Sequence, residues 1–270
     1  MIETMVRYGE NDTFTGQLFY PSNAKLPLPS VIVIQEAWGV DAHIEDVAHR
    51  IAMAGYATFA PDVYARDGAR PAPLTRERGA EAKAFFDRLT PPQMIDPDER
   101  AKAMEQEPEP LRTRLRESVR AIFTTAAGGE TNLAPVLAAA KWLRESCDVT
   151  RGEKIASVGF CMGGGLSALL AAHDPQLAAA VIFYGTAPRE ELVAKIQCPV
   201  LGLYGATDAR INAGLPAFVA AMAKHGKPFE HYLYEGAGHA FFNDTRASYE
   251  VRAARDAWVR TLAMFHEHLA

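Results

Sequence analysis

Gly159-Phe160-Cys161-Met162-Gly163-Gly164-Gly165 is the stretch on which the reading of this chain turns. The short apolar run Lys154-Ile155-Ala156-Ser157-Val158 before it has strand character. Leu166-Ser167-Ala168-Leu169-Leu170-Ala171-Ala172 after it is rich in helix formers. A strand, a reactive side chain flanked by glycines and then a helix make a nucleophile elbow, with cysteine where serine is more usual. A nucleophile at such a sharp turn has a strained backbone and needs nearly side-chain-free neighbours two residues away, which Gly159 and Gly163 supply. The turn also sets the sulfur at a helix N-terminus, where partial positive charge favours thiolate. A lone cysteine is more often a small buried hydrophobe, but the glycine spacing argues against that here. A phosphate-cradling loop fits poorly, because no Lys-Ser/Thr follows and the glycines do not fall as G-x-G-x-x-G.

Working outward, strands and helices alternate. Phe14 to Tyr20, Val31 to Ile34, Tyr56 to Ala60, Ala179 to Tyr184, Pro199 to Tyr204 and Phe229 to Tyr234 read as strands. Helical faces recur at Ile44–Ala52, Leu133–Leu143, Leu215–Met222 and Val251–Leu269. This rhythm predicts an α/β fold with a mostly parallel sheet covered on both faces. The interval from Pro61 to Lys154 far exceeds the roughly 30 residues of a whole strand–helix–strand unit. Residues 65–130 are therefore expected to form an inserted helical cap on a single domain spanning 1–270. Ligands of such sheets bind at the carboxyl ends of the strands. Asp208 and His239 both fall there, after the strands ending at Tyr204 and Tyr234. Nucleophile, acid, histidine is the chain order of the α/β-hydrolases. The chemistry then assigns His239 as the base for the Cys161 thiol and later for water, with Asp208 fixing the imidazole tautomer.

Composition narrows the partners. Of 270 residues, 49% are hydrophobic and 23% charged, with a formal net charge of −5 and no basic block that would attract nucleic acid or an anionic membrane. The N-terminal residues lack the apolar core of a signal peptide, and the apolar run Leu177–Tyr184 is too short to span a bilayer. Three scattered cysteines argue against a disulfide framework, leaving Cys147 and Cys198 as reduced core residues. A cytoplasmic monomer or homodimer acting on a small molecule is the expectation.

Four segments together carry a family resemblance: Gln35-Glu36-Ala37-Trp38-Gly39, Pro61-Asp62-Val63-Tyr64, Gly159-Phe160-Cys161-Met162-Gly163-Gly164 and Gly238-His239-Ala240-Phe241. They resemble the dienelactone hydrolases, or carboxymethylenebutenolidases, over nearly the whole chain outside the cap. The resemblance implies an α/β-hydrolase fold and hydrolysis of an unsaturated lactone without metal or organic cofactor. It assigns the triad Cys161, Asp208 and His239, and an oxyanion hole from the backbone N–H groups of Ala37 and Met162. It also implies that Glu36 bonds the resting thiol and holds it neutral until substrate displaces it. Such control would protect the sulfur from oxidation. One departure concerns substrate charge. Relatives that bind dicarboxylate lactones carry arginine four positions after the catalytic histidine, where this chain has Asn243. Arg76, Arg78, Arg100 and Lys102 are candidates for a second cation in the cap, and Arg246 for a replacement. Trp38, Tyr64, Phe241 and Phe242 are candidate apolar lining. A broader carboxylesterase or thioesterase, a hydrolase-fold binding protein and a redox protein are the competing readings. The intact triad argues against a binder, and the lack of a nearby resolving cysteine against redox chemistry.

Overall fold

The computed structural model describes residues 1–270, apart from the side chains of Pro91 and Ile95. Eight strands form one sheet: β1 Ile2–Tyr8, β2 Phe14–Tyr20, β3 Ser30–Ile34, β4 Ala57–Pro61, β5 Ile155–Phe160, β6 Ala179–Phe183, β7 Val200–Gly205 and β8 Phe229–Tyr234. Their order across the sheet is β1-β2-β4-β3-β5-β6-β7-β8. β1 and β2 run antiparallel at one edge, and every pairing from β4 to β8 is parallel. This is the mostly parallel, doubly covered sheet of the α/β-hydrolase fold.

The period-2 geometry of a strand explains why β3 is apolar throughout. Ile32 and Ile34 enter the core on one face with Val136, Leu143 and Leu166, beneath helices Leu133–Glu145 and Met162–His173. Val31 and Val33 enter the other, with Ile44, Val47, Ile51 and Phe265 from helices Ala42–Met53 and Val251–Leu269. β1 carries no comparable sequence signal and was not among the strands expected. It is an edge strand paired on one side only, and most of its residues are exposed. Its alternation is therefore not enforced by burial.

Helices Arg76–Phe86, Pro91–Ile95, Pro97–Glu105 and Leu111–Ala126 lie between β4 and the helix before β5. They have an apolar cluster of their own, including Phe85, Phe86, Leu115, Val119 and Ile122. Ala37, Trp38 and Met162, three residues beside the strand ends, pack against that cluster. Polar contacts tie the insertion down. Lys83 Nζ donates to Asp41 Oδ2 at 2.8 Å, and Arg246 Nη2 lies 2.7 Å from Asp87 Oδ1. No helix among the described residues is long and apolar enough to cross a membrane.

Candidate active site

Strand register brings the site together. Ile34 pairs with Gly159 and Phe160 with Phe183, so Glu36, Cys161 and Tyr184 leave three neighbouring strands at nearly one level. Cys161 has φ 55° and ψ −114°, a positive φ that non-glycine residues seldom adopt. Its backbone N–H donates to Phe183 O at 3.0 Å, and its own carbonyl accepts from Gly164 N in the first turn of the helix. The flanking glycines are needed for close approach. A Cβ on Gly159 would stand 1.8 Å from Gly163 O, and one on Gly163 would stand 2.3 Å from Ile34 O.

Asp208 and His239 sit on loops stitched to each other. Ala206 N donates to Tyr234 O at 2.9 Å and Thr207 N to Ala237 O at 3.0 Å. Asp208 Oδ1 accepts from Ile211 N, capping a short helical turn, and Oδ2 bonds His239 Nδ1 at 2.5 Å. Asp208 is buried, while the His239 side chain is 30% exposed toward the cleft. Cys161 is the imidazole's other polar neighbour. Burial disfavours the imidazolium, yet the influence of Cys161 and the hydrogen bond to Asp208 outweigh it and raise the His239 pKa to about 10. Neither Ala37 N–H nor Met162 N–H donates a hydrogen bond among the described residues, and Met162 opens the helix after Cys161. Both donors are thus unspent, which an oxyanion hole would require.

Glu36 is 2% exposed, and both its carboxylate oxygens have hydrogen-bond partners other than Cys161. Tyr184 OH donates to Oε1 at 3.1 Å and Asn243 Nδ2 to Oε2 at 2.8 Å. Tyr184 was not singled out in the sequence. The strand-end position was readable, but its positive φ of 38° and its contact with Glu36 depend on the packing of β6 against β5.

The proposed substrate lining is divided. Trp38 is partly exposed beside the site, its ring 5.4 Å from that of Phe86 in the insertion. Tyr64 is buried and donates its hydroxyl to Ala37 O at 2.7 Å, so it supports the loop of the oxyanion residue. Phe241 and Phe242 are a correction: both are buried core residues, packed on Phe183 at centroid distances of 6.2 and 4.7 Å. Asn243 is another, being fully buried with its amide spent on Glu36 and Thr245. The cations named for substrate charge are committed as well. Arg76 pairs with Glu45, Arg78 with Glu117, Lys102 with Glu99 and Arg246 with Asp87. Arg100 donates to Met94 O and lies over the Phe123 ring.

No group of three or more His, Cys, Asp or Glu side chains among the described residues is placed to hold a metal ion. A groove of about 550 Å³ lined by Pro199, Pro228, Phe229, Arg260 and His268 lies at the amino ends of β7 and β8, the end of the sheet remote from Cys161.

Known proteins resemble this chain in sequence and in fold. The sequence pattern of the Dienelactone hydrolase family matches residues 14–269. A Saccharolobus solfataricus protein provisionally named carboxymethylenebutenolidase is 35% identical over 241 residues, 89% of this chain and 88% of its own length. An Escherichia coli K12 protein of the same provisional name is 31% identical over 260 residues, 92% of this chain and 80% of its own. The crystal structure of a Klebsiella pneumoniae protein, provisionally a dienelactone hydrolase, superposes with a TM-score of 0.71 at 31% identity and 98% coverage of both chains.

Proposed function

Because the chain belongs to the dienelactone hydrolase family and acts on ester or lactone bonds, we propose that it does so through an acyl-enzyme on Cys161, with His239 and Asp208 completing the triad. The observation that carries this reading is the pairing of Cys161 with an Asp208-bonded His239 at a positive-φ elbow. The Cys161 thiolate attacks the carbonyl carbon, and the carbonyl oxygen takes its developing charge to the N–H groups of Ala37 and Met162. One such donor is worth about 10²–10³ in kcat. As the tetrahedral intermediate collapses, the His239 imidazolium protonates the departing oxygen. With a lactone that oxygen stays tethered to the acyl chain; with a simple ester it leaves as an alcohol. Neutral His239 then takes a proton from water, hydroxide attacks the thioester, and the carboxylate product departs as the thiolate re-forms.

The expected substrate class follows from the candidate charge-binding residues already engaged within the protein. Arginine holds a carboxylate through two parallel charge-assisted bonds, whereas the Asn243 amide is neutral and already used within the protein. Arg246, the nearest replacement considered, is paired with Asp87. We therefore expect neutral or monoanionic esters and lactones to be preferred over dianionic ones. A lost charge-assisted contact is worth roughly ten- to a hundredfold in specificity. The measurement is kcat/KM for a dicarboxylate lactone against its neutral methyl ester. The ester should be turned over at least as well as the acid. A strong wild-type preference for the free acid would sink this assignment of substrate class.

A further inference from the structure

The loop after β3 carries the oxyanion donor assigned to Ala37, and a short turn sets its shape. Gly39 N–H donates to Glu36 O at 3.2 Å and closes a four-residue turn over Glu36-Ala37-Trp38-Gly39. Ala37 N–H shares its peptide plane with Glu36 O, so this bond holds the plane of the donor. The other plane at Ala37 runs through its carbonyl into Trp38, at the centre of the turn. Turns of types I and II differ mainly by a rotation of that central peptide, so the turn does not fix it by itself.

Tyr64 fixes it from outside. Its hydroxyl donates to Ala37 O at 2.7 Å, and the same oxygen lies 3.9 Å from Met162 Sδ. One phenol thus touches both residues assigned to the oxyanion hole. Tyr64 is 4% exposed, so little water competes for its bond. The phenol is itself held in place. Tyr64 N–H and Ala65 N–H donate to Asp62 Oδ1 at 3.0 and 3.2 Å, and Arg70 Nε donates to Asp62 Oδ2 at 2.6 Å. Arg70 Nη2 then reaches Val40 O at 3.3 Å, and Val63 N–H donates to Gln35 Oε1 at 3.0 Å. The segment after β4 therefore grips the loop after β3 at Gln35, Ala37 and Val40. Packing alone asks for no hydroxyl at position 64. A buried O–H needs a partner, and here the partner is the backbone of an oxyanion residue.

We infer that Tyr64 is a positioning residue for the oxyanion hole: its hydroxyl locks the Ala37 peptide so that Ala37 N–H meets the substrate oxygen as that oxygen becomes charged. It acts through Ala37 and touches no reacting atom. The inference rests on hydrolysis through Cys161 with Ala37 as an oxyanion donor. Loss of a whole donor costs about 10²–10³ in kcat. Loosening one should cost less, about ten- to a hundredfold.

The test is Tyr64→Phe, which removes one oxygen and keeps the ring. Acylation and deacylation both pass through a tetrahedral oxyanion. For p-nitrophenyl acetate, kcat should therefore fall about ten- to a hundredfold while KM stays nearly constant. Alkylation of Cys161 by iodoacetamide displaces iodide from a saturated carbon and builds no oxyanion. Its second-order rate, located by peptide mapping, should match wild type. Tyr8→Phe controls for the loss of a buried hydroxyl–carbonyl bond, because Tyr8 OH donates to Pro135 O at 2.9 Å. Its kcat should stay at the wild-type level. Unchanged kcat in Tyr64→Phe would overturn the inference. So would alkylation slowed in step with turnover, a raised KM at constant kcat, or an equal loss in Tyr8→Phe. Cys161→Ala separates the two kinds of failure. Hydrolysis that persists in that variant removes the mechanism and the inference with it; if the variant is inactive, a failure belongs to Tyr64 alone.

Discussion

Replacing Cys161 by alanine is expected to abolish turnover of every ester and lactone substrate while leaving the fold and its thermal unfolding nearly unchanged. The side chain is small and only partly buried, so the truncation opens little core volume. The same variant leaves no atom to form the covalent intermediate. Cys161→Ser is the more informative partner. A hydroxyl has a far higher pKa than a thiol and is the weaker nucleophile at neutral pH. Serine should therefore retain only weak activity, even with the oxyanion donors and His239 in place. The measurement is steady-state hydrolysis of p-nitrophenyl acetate, checked by circular dichroism and thermal melting. Substantial activity in the alanine variant would remove the mechanism.

Asp208→Asn should cost on the order of 10³–10⁴ in kcat. The expected cause is specific. Asp208 uses one oxygen to cap a helical turn and the other to receive the His239 Nδ1 proton. Asparagine can keep the cap, but its amide then presents N–H to Nδ1, forcing the wrong tautomer and removing support for the imidazolium. A stability signature accompanies the kinetic one. The folded-state pKa of His239 lies above its ordinary 6.5, at about 10. Its stabilising contribution is thus complete below about pH 6.5 and is lost as pH rises through 10. In Asp208→Asn the Cys161 charge alone must hold the proton against burial, so that loss should begin at lower pH. Thermal melting from pH 6 to 10.5 reads the difference. Superimposable profiles would show that Asp208 does not support the charged imidazole.

How much of this was legible beforehand depended on how local the signal was. The elbow was readable because its constraints are steric and adjacent in sequence: Gly159 and Gly163 must be bare where backbones meet. The strands β3 and β5 were readable because burial on both faces makes them apolar throughout. Asp208 and His239 followed from their places after β7 and β8. Edge strand β1 escaped, because a strand with one partner and a solvent face need not carry an apolar pattern. The substrate lining was misjudged for a related reason. An aromatic residue near a catalytic histidine reads the same whether it faces the cleft or the core, and the turn at Ala240, with φ 61°, sends Phe241 and Phe242 inward. Asn243 was marked by its position, but its bond to Glu36 joins residues 207 apart and has no local signature. Tyr184 is the same kind of case, its role arising from register between β5 and β6.

The central claim is that hydrolysis passes through a thioester on Cys161. The most direct measurement is rapid quenching of p-nitrophenyl acetate turnover in acid, followed by peptide mapping by mass spectrometry. Acetyl should appear on the peptide containing Cys161 within the first turnover, be discharged by hydroxylamine, and be absent from Cys161→Ala. Sustained turnover with no acyl group on that peptide, or with the acyl group on another residue, would contradict the account.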